Sequence, residues 1–167
     1  MPCDTKSIEA LHGAASALAF ARENNDDTSE EWDDLNHALL QAMEDGEQPR
    51  WGFKDGSLMR WSRLHSGALE DHACTQPDFE AIVEAICDIA FGRIDRMTGR
   101  WFTVDEIARD VNRPWITAFV AIGFLRERGL VWANGTARRL EAVDDFLPEA
   151  ALAEFVVAEM KAGSAAR

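Results

Sequence analysis

The sequence predicts a mainly α protein with a short β-hairpin near its C-terminal end. Three observations predict it. Apolar residues recur at helical spacing along most of the chain. Thr, Ser and Pro stand where such helices would start, and Gly where they would end. Asn134-Gly135, two residues that tolerate positive φ, lies between two short extended-looking runs.

The first helix is expected from about Thr5 to Arg22, with Asp4 as N-cap and Ile8, Leu11, Ala15, Leu18 and Ala19 as its apolar stripe. Asn24-Asn25-Asp26-Asp27 breaks that pattern. A second helix starts at Thr28 or Ser29, where Thr28 and Glu31 have capping-box spacing. Trp32, Leu35, Leu39, Leu40 and Met43 form its inward stripe, and Gly46 suits a left-handed cap. Residues 47 to 76 read two ways. Lys54-Asp55-Gly56-Ser57 is a good turn with Trp51 and Phe53 before it, which fits a β-hairpin. The preferred reading is a helix capped by Ser57 with Leu58, Trp61, Leu64 and Leu69 inward.

A third helix follows Pro77-Asp78. Phe79, Ile82, Val83, Ile86, Ile89, Ala90 and Ile94 keep helical periodicity, and Gly99 ends it. Thr103 and Glu106 again have capping-box spacing, ahead of a short helix with Val104, Ile107, Ala108 and Val111 on one side. Asn112-Arg113-Pro114 turns into a longer helix reaching about Arg128, with Ala118, Ile122 and Leu125 inward and Gly129 closing it. Leu130-Val131-Trp132 and Thr136 to Leu140 are the strands on either side of Asn134-Gly135. Pro148 opens a last helix with Leu152, Phe155, Val156 and Met160 as its stripe.

The chain of 167 residues is 47% hydrophobic and 28% charged, enough for one substantial domain or a smaller one with a helical extension. Its net charge is −13, unevenly spread: residues 91 to 142 carry +3, all basic residues there being arginine, and the rest carries −16. Glu23 to Asp34 holds seven carboxylates in twelve residues. The favoured reading is a solvated loop with acids well placed at a helix N-terminus, the other being a dock for a basic partner. No run of about 18 apolar residues occurs, so no membrane span is expected. The opening residues lack a basic stretch followed by an apolar one, so neither is a secretory signal. Cys3, Cys74 and Cys87 are odd in number and far apart, and read as reduced thiols of a cytoplasmic protein.

No Gly-rich phosphate loop, H-E-x-x-H or C-x-x-C occurs. His72-Ala73-Cys74, with His65 or Cys87, falls short of a tetrahedral zinc set, and Asp71-His72 beside Cys74 gives no local support to a thiol nucleophile. No cofactor, metal or catalytic residue is therefore expected, and the protein is read as a non-enzyme.

From Phe79 to Glu141 the order is helix, short helix, turn, longer helix, strand, Asn-Gly, strand. Together with Thr103-Val104-Asp105-Glu106-Ile107-Ala108 and the spacing Leu125-x3-Gly129-Leu130-Val131, it resembles the winged helix–turn–helix superfamily. The resemblance implies three regions: a helical N-terminal region at 1–76, a winged helix–turn–helix domain with its β-hairpin wing at 77–145, and a C-terminal helix and frayed tail at 146–167. In DNA-binding members, polar residues of the second helix reach base edges. The matching outward positions here are Trp115, Ile116, Thr117, Phe119 and Val120, of which only Thr117 is polar.

Arg109 and Arg113 flank the turn, Arg126 and Arg128 end the longer helix, and Arg138 and Arg139 lie on the wing. The leading expectation is a DNA-associated regulatory protein, acting as a dimer. Arg109, Arg113, Thr117, Arg126, Arg138 and Arg139 would contact double-stranded DNA, mostly at phosphates. The alternative is a winged helix used for protein–protein contact, with Trp115, Phe119 and Val120 meeting a partner or a second copy. An apolar patch of that kind must be covered by something: the chain itself, a second subunit or a partner.

Overall fold

The computed structural model describes residues 5–44, 47, 49–92, 101–133 and 139–165. The protein is mainly helical, and no helix among those residues is long and apolar enough to cross a membrane. The chain divides into two compact units, Met1–Arg50 with Trp61–Asp71, and Trp51–Arg60 with His72–Arg167.

In the first unit, helices α1 (Thr5–Glu23) and α2 (Ser29–Met43) pack on each other. The α1 terminus is closed by a left-handed cap. Asn25 sits at φ 59°, and the amides of Asn25 and Asp26 donate to the carbonyls of Arg22 and Ala21. Across the hairpin, the Arg22 guanidinium lies 5.1 Å from the Trp32 ring centre. The expected cap on α2 is not the one used: the Thr28 side chain makes no cap bond, and the Ser29 amide donates to Asp27 Oδ1 at 3.1 Å instead. An acid one residue earlier supplies the oxygen that the helix end needs. The expected apolar stripes are only partly inward: Leu18 is buried and Leu11, Trp32, Leu35 and Leu40 are half-buried, whereas Ile8, Ala15, Ala19, Leu39 and Met43 are exposed. Ala21 and Ala38, outside those stripes, are buried instead.

Residues 50 to 75 are strands, not the preferred helix: β1 (Arg50–Lys54), β2 (Ser57–Arg63) and β3 (Leu69–Thr75), in the order β1-β2-β3. The turn chemistry decides this. Asp55 and Gly56 both take positive φ, 51° and 75°, the pair of angles a two-residue hairpin requires. Leu58 is then fully buried, but Leu69, expected inward, is 69% exposed.

In the second unit, Thr75 caps α3 (Gln76–Cys87), accepting from the Asp78 amide, and a π-helical turn Asp88–Gly92 continues it. Ile94 and Gly99 lie outside the described residues. Strand β4 (Trp101–Phe102) leads to α4 (Val104–Asp110), whose N-cap Thr103 accepts from the Glu106 amide at 3.1 Å. Asn112, at φ 52°, then forms a second left-handed cap, with the Arg113 amide donating to the Ala108 carbonyl. Helix α5 (Trp115–Glu127) ends in a third such cap at Gly129, φ 71°. Strands β5 (Val131–Ala133) and β6 (Leu140–Ala142) are antiparallel, and β6 also pairs with β4, giving the order β4-β6-β5. Helix α6 (Pro148–Ala165) closes the chain.

The core of this unit joins four phenylalanines from four elements. Phe53 of β1 meets Phe155 of α6 at 4.9 Å and Phe124 of α5 at 6.4 Å between ring centres. Phe79 of α3 meets the same two at 4.8 and 5.8 Å. Most of these contacts are edge-on, the arrangement that the ring quadrupole favours.

Candidate functional site

Helix α5 carries Trp115, Thr117, Phe119 and Val120. It is apolar on nearly every side: Ala118, Val120, Ala121, Ile122, Phe124 and Leu125 are all buried. A helix that is hydrophobic all round is enclosed by its own protein. Part of the enclosure is the β1–β2 hairpin. The Trp51 indole lies so close to Gly123 that a Cβ there would stand 2.5 Å from the ring. From β2, the Arg60 guanidinium carbon sits 5.2 Å from the Phe119 ring centre, and Arg60 itself is only 4% exposed.

Of the three residues expected at a partner interface, Val120 is fully buried, so no partner reaches it in this structure. Trp115 and Phe119 are half-buried and stack on each other, ring centres 4.9 Å apart and planes 14° apart. Thr117, the one polar candidate for base contact, is also half-buried. The chain itself therefore covers much of the patch. Sequence reasoning missed Trp51 and Arg60 as the cover. The turn Asp55-Gly56 was the available signal.

The arginines are arranged around the α4–α5 turn. Arg109 Nε is 2.9 Å from Asp105 Oδ2. Arg113 Nε donates to Asp78 Oδ1, and its Nη1 to the Asn112 carbonyl at 3.3 Å. Both line a shallow depression of about 440 Å³ with Asp105, Asn112, Pro114 and Trp115. Their charges are offset locally by Asp105 and Asp78. Arg126 is exposed at the far end of α5. Nearby Arg128 lies over the Phe124 ring at 5.0 Å and 3.9 Å from Glu154 Oε2. Arg138 and the Asn134-Gly135 turn lie outside the described residues.

Partial burial works against ionisation of Asp78. The hydrogen bonds from Arg113 and Thr75 and the Arg113 charge outweigh it, and hold the carboxyl below the usual carboxylate range. Burial, with the Asp78 charge adding to it, pushes the Cys74 thiol up to about 12. Burial, then Asp88 and Glu149, raises Cys87 as well. Neither thiol has the depressed pKa of a cysteine nucleophile. Among the described residues no group of three or more His, Cys, Asp or Glu is placed to hold a metal ion.

The outer face of the small sheet brings together residues that the sequence did not single out as a group. Trp101 and Trp132 are both register partners of Glu141 on the central strand. Directly paired residues point to one side of a sheet, so the three form a row. The opposite face is the buried one, with Phe102, Leu140, Val131 and Ala142. Trp132 is 49% exposed, and the Arg139 guanidinium carbon lies 4.2 Å from the Trp101 ring centre. The signal for this row is the period-two alternation of Val131-Trp132 and Leu140-Glu141-Ala142.

Against protein-family models, curated proteins and solved structures, the chain matches none.

Proposed function

We propose that residues 77–145 form a winged helix–turn–helix domain that works through protein contact in a non-catalytic protein. The element order α3, β4, α4, α5, β5, β6 supports the first half of this reading, as does the strand order β4-β6-β5 with β4 and β5 on either side of β6. One observation carries the second half: α5, the helix that DNA-binding members lay in the major groove, is packed against Trp51 and Arg60 of the chain's own hairpin. A helix packed in this way offers little to base edges: of its outward positions Val120 is buried and Trp115, Thr117 and Phe119 are half-buried. The net charge of −13 adds repulsion from a phosphate backbone.

The second reading keeps DNA contact through phosphates alone, by Arg109, Arg113, Arg126, Arg138 and Arg139. The exposed Arg126 and the two arginines at the α4–α5 turn favour it. Fluorescence anisotropy of a labelled random-sequence duplex, titrated at two salt concentrations, separates the two. Protein contact predicts no binding even at low salt. Binding that weakens steeply with salt overturns it, and Arg139→Ala would then lower the salt slope by about one.

A further inference from the structure

We propose that α6 pairs with α6 of a second copy of this chain, antiparallel and about a two-fold axis, through the outward strip Ala150, Ala153, Val157 and Met160. The inference goes beyond the protein-contact reading: it uses a surface other than Trp115 and Phe119, and the partner is the protein itself.

Helix α6 has two apolar faces. One enters the core through Ala151 and Phe155. The other looks away from it. Val156, Val157 and Met160 are 42, 44 and 69% exposed, and Ala150, Ala153 and Ser164 are exposed beside them. Helical spacing alone groups Val156 and Met160 with Phe155, but of the three only Phe155 is inward. Valine is a weaker helix former than alanine, so neither valine serves the helix itself.

The spacing names the occupant. Positions 150, 153, 157, 160 and 164 alternate steps of three and four, the repeat by which one helix meshes with another. Charge then fixes the direction. A parallel pair would set Glu149 of each copy against Glu154 of the other. In the antiparallel pair, the layering that puts Val157 on Met160 and Ala153 on Ser164 also puts Glu154 beside Lys161, once on each side of the axis. Apolar spacing and charge thus select the same register, as a surface complementary to itself requires. Glu154 also lies 3.9 Å from Arg128 Nε at the surface, and its carboxylate has lone pairs for a second cation. The strip is about 21 Å long and would bury roughly 400 Å² per copy, half of a standard stable interface. The dimer is therefore weak and concentration-dependent, with a Kd on the order of tens of micromolar.

Sedimentation equilibrium of the full chain, from about 5 to about 500 µM, tests it. The expected result is a reversible shift from one chain to two. Val157→Lys with Met160→Lys should weaken association about tenfold or more. The circular dichroism spectrum and melting temperature should not change, because both side chains are exposed in the single chain. Lys161→Glu should weaken association roughly fivefold, and Glu154→Lys added to it should restore the pairing, since both ion pairs are then reversed. A chain that stays single at the highest concentration overturns the proposal, and something else then covers the strip. A dimer indifferent to the two lysines overturns it too, because it would use another surface. So does a charge swap that fails to restore what Lys161→Glu had weakened. None of these outcomes touches the protein-contact reading, which stands or falls on the duplex titration.

Discussion

At the scale of single residues, Asp78 joins two parts of the second unit that are far apart in sequence. Its amide and carboxylate exchange hydrogen bonds with the Thr75 hydroxyl at the start of α3, and its other oxygen accepts from Arg113 in the α4–α5 turn. A carboxyl held below its ordinary 3.8 when folded contributes stability that is present above that value. The contribution is lost as pH falls through the lowered folded value. Asp78→Asn should therefore cost about 1 kcal/mol at neutral pH, a modest figure because salt and water screen the half-exposed Arg113. Urea unfolding at pH 7 and near pH 3 measures it: the gap between variant and parent should shrink at the lower pH. An unchanged gap would mean that the pair contributes through packing, not charge.

At the scale of elements, the hairpin and α5 are fitted to each other at Gly123. An alanine there would drive its methyl group to within 2.5 Å of the Trp51 ring. The indole is rigid and half-buried, so Gly123→Ala should cost about 1–3 kcal/mol despite alanine's better helix propensity. Denaturant unfolding followed by tryptophan fluorescence should show it. A second substitution, Trp51→Leu, should remove most of the penalty, because it empties the space the methyl needs.

The same pair of elements marks the limit of what was legible. Helices α3, α4 and α5 were readable because Thr75-x-x-Asp78, Thr103, Asn112 and Gly129 punctuate them with local chemistry, and their apolar spacing has no rival reading. Thr103, Asn112-Arg113-Pro114 and Gly129 mark their boundaries in the sequence itself, whereas Thr75 does not stand out, because Pro77-Asp78 offers a nearer start. In residues 50 to 75, two local signals disagreed. Leu58, Trp61 and Leu64 happen to fall at helical spacing, and only Asp55-Gly56 spoke for strands. The turn won because a two-residue hairpin needs positive φ twice in succession, and few residue pairs supply it. The partner of the hairpin, α5, lies far along the chain, and no local pattern announces such a pairing. For the same reason the Trp101–Glu141–Trp132 row was invisible until strand register was known.

At the scale of the whole molecule, the units cut across the sequence order. A boundary at residue 76 looks natural in the sequence, but the compact unit that holds α3 to α6 also includes Trp51–Arg60. The fragment 77–167 would keep every helix of the proposed winged domain and lose Phe53, Leu58 and the Trp51 indole from its core. It should unfold without a cooperative transition and bind a hydrophobic dye, whereas the fragment 50–167 should melt cooperatively. Calorimetry of the two decides the matter. A sharp transition in 77–167 would show that the hairpin is an accessory to the fold and not part of it.

The position of the hairpin in the chain also has a consequence during synthesis. Trp51, Phe53 and Leu58 are made well before Phe119, Gly123 and Phe124, and at ribosomal speed the interval is on the order of several seconds. Through that time a tight turn with three large apolar side chains has been born without the helix that shelters it. Folding of the second unit must wait for that late arrival, and until then the three side chains have no core to enter.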